Sequence, residues 1–157
     1  MFTIVTHPNP SLRERSRELS VDEITDPEFQ KYLDELTETM LKADGVGIAS
    51  PQVGKNVRAI VVNTVQGSEC FINPEILKKS DVFVESEEGC LSVPGKFGWV
   101  ERHQRVRVRA LNRHGRRVEL NVKNFPATIF QHEIDHLDGI LFIDKAKNIV
   151  ERDKIKI

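Results

Sequence analysis

Apolar residues recur at helical spacing in two places along the chain. In the first, Phe29, Leu33, Leu36, Met40 and Leu41 share one stripe. Asp26 can cap that stripe and Pro27 suits a first helical position, so a helix is predicted from Asp26 to about Asp44-Gly45. In the second, Asn124-Phe125-Pro126 repeats the cap-and-proline opening, the helix runs to about Leu137, and Gly139 supplies the stop. Between the two the period changes to two. Val106, Val108 and Ala110 alternate with arginines, "NRHG" has turn chemistry, and "RRVELNV" follows, which predicts a hairpin with one wet face.

The remaining stretches are shorter. Val57 to Asn63 is mostly β-branched and reads as a buried strand. "CFINPEI" reads as a short strand broken at Pro74, and "DVFVESEEGCLSVPG" alternates to about Glu85 before becoming turn-rich. Glycines and Pro51 make "GVGIASPQVG" a loop. Pro8 and Pro10 exclude a helix from the opening segment. The tail "LFIDKAKNIVERDKIKI" adds a short strand or turn and a marginal, charged last helix. Helix, antiparallel strands, helix is the order of an α+β domain, with neither a repeat nor a linker.

Composition narrows the class. The chain has 157 residues, enough for one domain with its own core. With 39% hydrophobic and 30% charged residues it is ordinary for a soluble globular protein. A net charge of -1 removes any global attraction to nucleic acid or to an anionic membrane. The arginines of "RVRVRAL" read as a solvated face, because no aromatic residues interleave with them for base stacking. No apolar run is long enough to cross a bilayer, and the first residues lack the pattern of a signal peptide. The expectation is a cytoplasmic protein, or an organellar one if a transit peptide has been removed.

The chemistry concentrates in "FQHEIDHLDG". Residues four apart on a helix lie one above the other, about 6 Å apart, so His132 and His136 can reach one ion. Glu133 sits one step round, close enough to handle the proton of an attacking water without being a ligand. This is the layout of a metal hydrolase rather than of a surface helix with two exposed histidines. A catalytic metal takes three protein ligands and keeps one position open. Downstream, Asp138, Asp144 and Glu151 are candidates for the third; upstream, Cys90 follows a strand and competes with Cys70, whose neighbours "CFIN" suit a buried strand residue. Spacing alone does not choose among them.

Three stretches resemble one family, in that family's order. "GVGIASPQ" (Gly45 to Gln52) is similar to the glycine-rich motif of peptide deformylases, "EGCLS" (Glu88 to Ser92) to their second motif and "QHEIDH" (Gln131 to His136) to their third. "HPNPSLR", "INP" and "GILFID" extend the resemblance over nearly the whole chain. The resemblance implies a single catalytic domain over residues 1–157, with antiparallel strands in small sheets around a central metal-binding helix. It implies metal ligation by Cys90, His132 and His136, one divalent ion per chain, Fe(II) by preference, with zinc, nickel or cobalt able to substitute. It implies removal of the N-formyl group from the initiator methionine of nascent chains, with Glu133 as base and then acid. Gln52 and the Leu91 backbone N–H would hold the oxyanion.

The glycines of "GVGIAS" would let a substrate peptide lie along that backbone as an added strand, Gly47 allowing close approach. By the same resemblance the methionine pocket is walled by Val46, Phe125, Thr128 and Ile129, with Glu88 at its edge. Partners would be N-formylmethionyl nascent peptides, with weak docking on the ribosome at most. No specific nucleic-acid binding, no membrane and a monomeric state are expected. Ser50 and Phe97 depart from the family pattern, and the tail is short. His7, His103 and His114 match no motif and read as surface or loop residues. The competing readings are a zinc peptidase that takes a downstream acid as third ligand, and an inactive relative kept as a binding protein.

Overall fold

The computed structural model describes residues 1–152. Two helices open the chain. Helix α1 (Val21–Thr25) starts in a capping box, with the Ser20 hydroxyl accepting from the Glu23 N–H and the Glu23 carboxylate accepting from the Ser20 N–H. Helix α2 (Pro27–Lys42) starts at Asp26, whose carboxylate accepts from the Glu28 N–H. Its stripe of Phe29, Leu33, Leu36 and Met40 is buried as the spacing predicts. Leu41 is not part of it and is 49% exposed, since it lies one step round from Met40. The helix ends at Lys42, earlier than expected, because Asp44 has already turned into the left-handed region.

Eight strands follow in two antiparallel sheets among the described residues. They are β1 (Gly47–Ala49), β2 (Ala59–Thr64), β3 (Gly67–Lys79), β4 (Phe83–Cys90), β5 (Val93–His103), β6 (Arg105–Leu111), β7 (Arg117–Lys123) and β8 (Lys147–Glu151). One sheet has the order β1-β2-β3-β6-β7 and the other β4-β5-β8. Helix α3 (Phe125–Leu137) runs against both and carries the motif histidines.

Several sequence expectations are corrected. "GVGIASPQVG" is not a plain loop: Gly47–Ala49 pairs with β2, and Ser50–Val53 is a 3₁₀ turn. Strand β3 does not stop at Pro74. It passes through a register shift between Ile72 and Glu75, where Asn73 adopts a positive φ, so the proline falls in a bulge that needs no ladder donor. Strand β4 continues past Glu85 to Cys90. The opening segment holds a 3₁₀ turn at Pro10–Arg13, since proline is tolerated at a first helical position. Asn124 opens α3 without a side-chain cap and instead takes a positive φ. In the tail, Phe142–Asp144 is a 3₁₀ turn and Lys147–Glu151 pairs with β5, where a charged helix was expected. The rest of that expectation lies outside the described residues.

The hairpin is as the alternation predicts. Val106, Val108 and Ala110 are buried, and β6 pairs with β7 from Arg105↔Lys123 to Leu111↔Arg117. Those three residues pack with Ile60, Val62 and Phe71 against Ala127, Phe130 and Ile134 of α3. The Phe71 and Phe130 rings meet edge to face, 5.0 Å between centroids. Phe130 is thus the main apolar link between the metal-motif helix and its sheet. Phe130→Ala is expected to cost about 3–5 kcal/mol of stability, measured by denaturant unfolding.

Candidate metal centre and active site

Helix α3 is unusual for how many polar side chains it buries. Thr128, Gln131, His132, Glu133 and His136 are all enclosed. A buried polar group is costly unless something bonds it, so each partner is informative. Gln131 is satisfied by backbone: its amide donates to the His103 and Ala127 carbonyls and its oxygen accepts from the His103 N–H. The other three polar residues of the motif are not satisfied in this way. His132 Nε2, His136 Nδ1 and both Glu133 oxygens have no protein partner.

Strand β4 meets the helix by a match of periods. Glu88 and Cys90 are two apart on a strand, about 6.8 Å along it. His132 and His136 are four apart on a helix, about 6 Å along it. Despite a register shift between Glu88 and Cys90, the two pairs face each other one to one. His132 Nδ1 bonds the Glu88 carboxylate at 2.8 Å, which leaves Nε2 free to ligate. Cys90 Sγ lies 3.2 Å from His136 Nε2. One donor atom from each of Cys90, His132 and His136 falls within 4.8 Å of the others. One sulfur and two imidazoles, with His132 Nε2 unpartnered and His136 Nε2 beside the Cys90 sulfur, fit a divalent transition metal with an open fourth position.

Without an ion, the buried groups of the site shift one another strongly. Burial drives the Glu133 carboxyl up to about 7. Burial alone would lower His132, but Cys90, Glu133 and Glu88 together hold it well above its ordinary value. His136 is pushed well below its ordinary value by burial and by the neighbouring His132. Burial opposes ionisation of Glu88, yet bonds from Arg102 and His132 bring it down to about 2.

The alternative third ligands are elsewhere. Asp138 pairs with Arg58 and Arg15, and Asp144 with Arg13. Glu151 is exposed on β8 opposite Lys96. Cys70, 9% exposed on β3, packs in the α2 core as its neighbours suggested. None of these acids belongs to the Cys90, His132 and His136 group.

The remaining expected site residues surround this centre. Gln52 lies on the 3₁₀ turn after β1. Its oxygen accepts from the Ala49 N–H at 2.9 Å, its amide donates to Ser92 Oγ at 3.1 Å, and Nε2 is 3.7 Å from Cys90 Sγ. Leu91 follows Cys90 with its side chain against Gly45, where a Cβ would stand 3.0 Å from Leu91 Cδ1. At Gly47 a Cβ would meet Glu133 Oε2 at 2.6 Å and Ile129 Cγ2 at 3.0 Å. Its absence is what gives the Glu133 carboxylate its place. Thr128 and Ile129 are buried one turn before the ligands, and Val46 packs half-buried near Ile129. Phe125 is 54% exposed at the first residue of α3.

Glu88 requires a correction. It was expected at the edge of a substrate pocket, but it is 1% exposed and sits behind His132. Arg102 grips it with two bonds, of 2.8 and 2.9 Å, and also reaches Asp135 at 2.7 Å. Arg102 and Asp135 went unassigned in the sequence. The available signal was parity: Arg102 shares the inward face of β5 with Val100, which is legible only once Val93–His103 is known to be a strand. Glu88→Ala leaves the Arg102 guanidinium, 2% exposed, without its main partner. It is expected to cost about 3–5 kcal/mol and to weaken metal binding about 10–100-fold, read by denaturant unfolding and chelator competition.

Comparison with known proteins bears directly on this site. A family model described as polypeptide deformylase matches residues 1–152. The chain is 46% identical to the peptide deformylase of Desulforudis audaxviator, over 97% of both chains.

The chain belongs to the peptide deformylase family.

The crystal structure of the deformylase from Thermotoga maritima superposes with a TM-score of 0.89 at 39% identity, covering 94% of this chain and 98% of that one. A class I type b deformylase from Acinetobacter baumannii, solved with Met-Ala-Ser bound, gives 0.88 at 36% identity over 92% and 98%. Members of the family are metal-dependent hydrolases that remove the N-formyl group from newly synthesised polypeptides, and the deformylase identity holds over the full described length. Among the described residues no helix is long and apolar enough to cross a membrane.

Proposed function

We propose that residues 1–157 act as one deformylase domain in which Cys90, His132 and His136 hold a single Fe(II) ion, with zinc, nickel or cobalt able to replace it. The observation that carries this reading is the convergence of one thiol and two imidazoles, a donor atom of each within 4.8 Å of the others, in a buried site. A bound divalent ion supplies a Lewis acid that polarises the formyl carbonyl and lowers the pKa of water. A thiolate donates more charge than a third imidazole and suits a softer ion.

The chain's own groups do the rest. Glu133 takes a proton from the attacking water and returns it to the leaving nitrogen as the C–N bond breaks, giving formate and a free amine. A carboxyl poised at about 7 suits both directions of that transfer near neutral pH. The Gln52 amide, fixed by Ala49 and Ser92, and the Leu91 N–H hold the oxyanion.

Strand β1 lies at the edge of its sheet, so its free side admits the substrate peptide as an added strand along Val46 and Gly47. The methionine side chain then enters among Val46, Thr128 and Ile129, with Phe125 at the rim. The protein works as a cytoplasmic monomer on N-formylmethionyl nascent chains and docks weakly on the ribosome.

Formate release from formyl-Met-Ala-Ser by anaerobically prepared Fe(II) protein tests the reading. Stoichiometric formate and free amine are expected. A protein that holds one metal and leaves the formyl group intact would overturn the activity while keeping the site, and Ser50 and Phe97 would be examined first. Ser50 is buried and hydrogen-bonds Tyr32, and the Phe97 ring covers Gly89 beneath the Arg152 guanidinium.

A further inference from the structure

Gln52 sits in the 3₁₀ turn Ser50–Val53, so whatever holds that turn decides where its amide points. On the metal side the bonds are direct: the Gln52 amide donates to Ser92, and its carbonyl oxygen Oε1 accepts from Ala49. On the side of α2 the turn is held by another group. Along β1, Ile48 packs in the α2 core and Ala49 in the α3 core. Ser50 comes back to the α2 side. It is fully buried, and its hydroxyl hydrogen-bonds the hydroxyl of Tyr32 on α2. A buried hydroxyl left without a partner is costly, and among the described residues Tyr32 is the side chain that bonds this one.

Tyr32 also reaches the far end of the turn. After Val53 the chain reverses at Gly54, where φ is 88°, and Lys55 returns toward Ser50. The Lys55 ammonium stands 5.0 Å from the centre of the Tyr32 ring. That ring packs against Phe2 and Phe29, with centroids 5.3 and 5.7 Å away. The backbone closes the turn only loosely at this point. The Lys55 N–H lies 3.4 Å from the Ser50 carbonyl, long for such a bond. One side chain on α2 thus touches the residue that opens the turn and a residue that follows it.

We propose that Tyr32 is a positioning residue for deformylation: by clamping both ends of the Ser50–Val53 turn it sets the place of the Gln52 amide. That role rests on Gln52 being an oxyanion donor, as the deformylase reading has it. Tyr32 touches no reacting atom. A donor stabilises a developing oxyanion only from the right distance, and a misplacement of about 1 Å can cost about 10²-fold in rate. Burial pushes the Tyr32 hydroxyl up to about 12, so the clamp keeps its proton near neutral pH.

The test compares wild type with Tyr32→Phe, Ser50→Ala, the two together, Gln52→Ala, and Gln52→Ala/Tyr32→Phe. Tyr32→Phe keeps the ring and loses only the hydroxyl; Ser50→Ala removes the same bond from the other side, and serves if the first variant fails to fold. Formate release from formyl-Met-Ala-Ser and metal content are read on each. The Gln52 side-chain amide is followed by nitrogen–proton NMR, where its signals are the pair missing from Gln52→Ala. Each of the first two variants should lose about 5–50-fold in kcat, short of the 10²–10³-fold for an oxyanion donor lost outright, with KM within about twofold and the metal retained. The double variant should be no worse than either single one, because one bond is removed in all three. Tyr32→Phe should cost nothing further once Gln52 is alanine, and the Gln52 signals should move in both single variants. A loss that multiplies with that of Gln52→Ala would place the effect in the fold at large and overturn the proposal. So would unchanged kcat in both single variants, or Gln52 signals that stay in place. Should wild type release no formate, the deformylase reading fails on its own, and the amide signals alone decide whether Tyr32 places Gln52.

Discussion

Glu133→Gln is expected to retain one metal per chain and to lose kcat by about 10²–10⁴-fold, the range for removing a positioned general acid–base group. The geometry makes this substitution clean. Both carboxylate oxygens lack a protein partner, so a neutral amide of the same shape breaks no bond in the resting fold. The side chain lies in space that Gly47 leaves open, and glutamine needs no more of it. The change removes one thing, the ability to accept a proton and give it back. KM for formyl-Met-Ala-Ser is expected to stay within a few-fold, because the methionine walls and the β1 edge are untouched. Steady-state kinetics with metal content measured on the same preparation decides the point. Activity within tenfold of wild type would mean that another group moves the proton.

The second large effect is expected at Cys90. Cys90→Ala removes one of three metal donors, a deeper loss than the 10–100-fold cost of disturbing a group behind a ligand. Metal content after desalting should fall from one per chain to a small fraction, and formate release should fall with it. Two controls make the result specific. Cys70→Ala removes the other thiol of the chain from the α2 core, and is expected to keep the metal. Glu151→Ala touches an exposed strand residue opposite Lys96 and is expected to keep it as well. The reverse outcome, metal kept without Cys90 and lost without Glu151, would return the zinc-peptidase reading and displace the deformylase ligand set. Chelator competition distinguishes a weakened site from an abolished one.

The two predictions differ in what they ask of the fold. Glu133 acts from a helix whose position is fixed by Phe130 against Phe71 and by the Gln131 side chain, which bonds the His103 backbone on β5. Its C-terminal end is held by Arg58, which donates to the Leu137 carbonyl at 3.0 Å and pairs with Asp138. Cys90 acts from a different sheet, and reaches the helix only because β4 runs on past Glu85. A register shift between Glu88 and Cys90 ends the regular ladder with β5 where the thiol must face inward. The centre is therefore a junction between α3 and the β4-β5 pair, and a change that separates them should weaken metal binding before it unfolds the chain.

By itself the sequence determined the elements whose physics is local. The stripe of α2 apart from Leu41, the alternation of β6, and the start and stop of α3 follow from side-chain period and from proline and glycine chemistry. It also determined that His132 and His136 share a helix face with Glu133 beside them, because four residues make about one turn. Only the tertiary structure brought Cys90, and not the downstream acids, beside His132 and His136, since that is a contact between a strand and a helix more than forty residues apart in sequence. It decided that Glu88 holds His132 instead of edging a pocket, because a carboxylate's role depends on which side of the strand faces the helix. It turned "GVGIASPQVG" into an edge strand by giving it β2 as a ladder partner, and the charged tail into β8 by giving it β5. Pairing across a sheet is a contact between distant segments, and no local period encodes it.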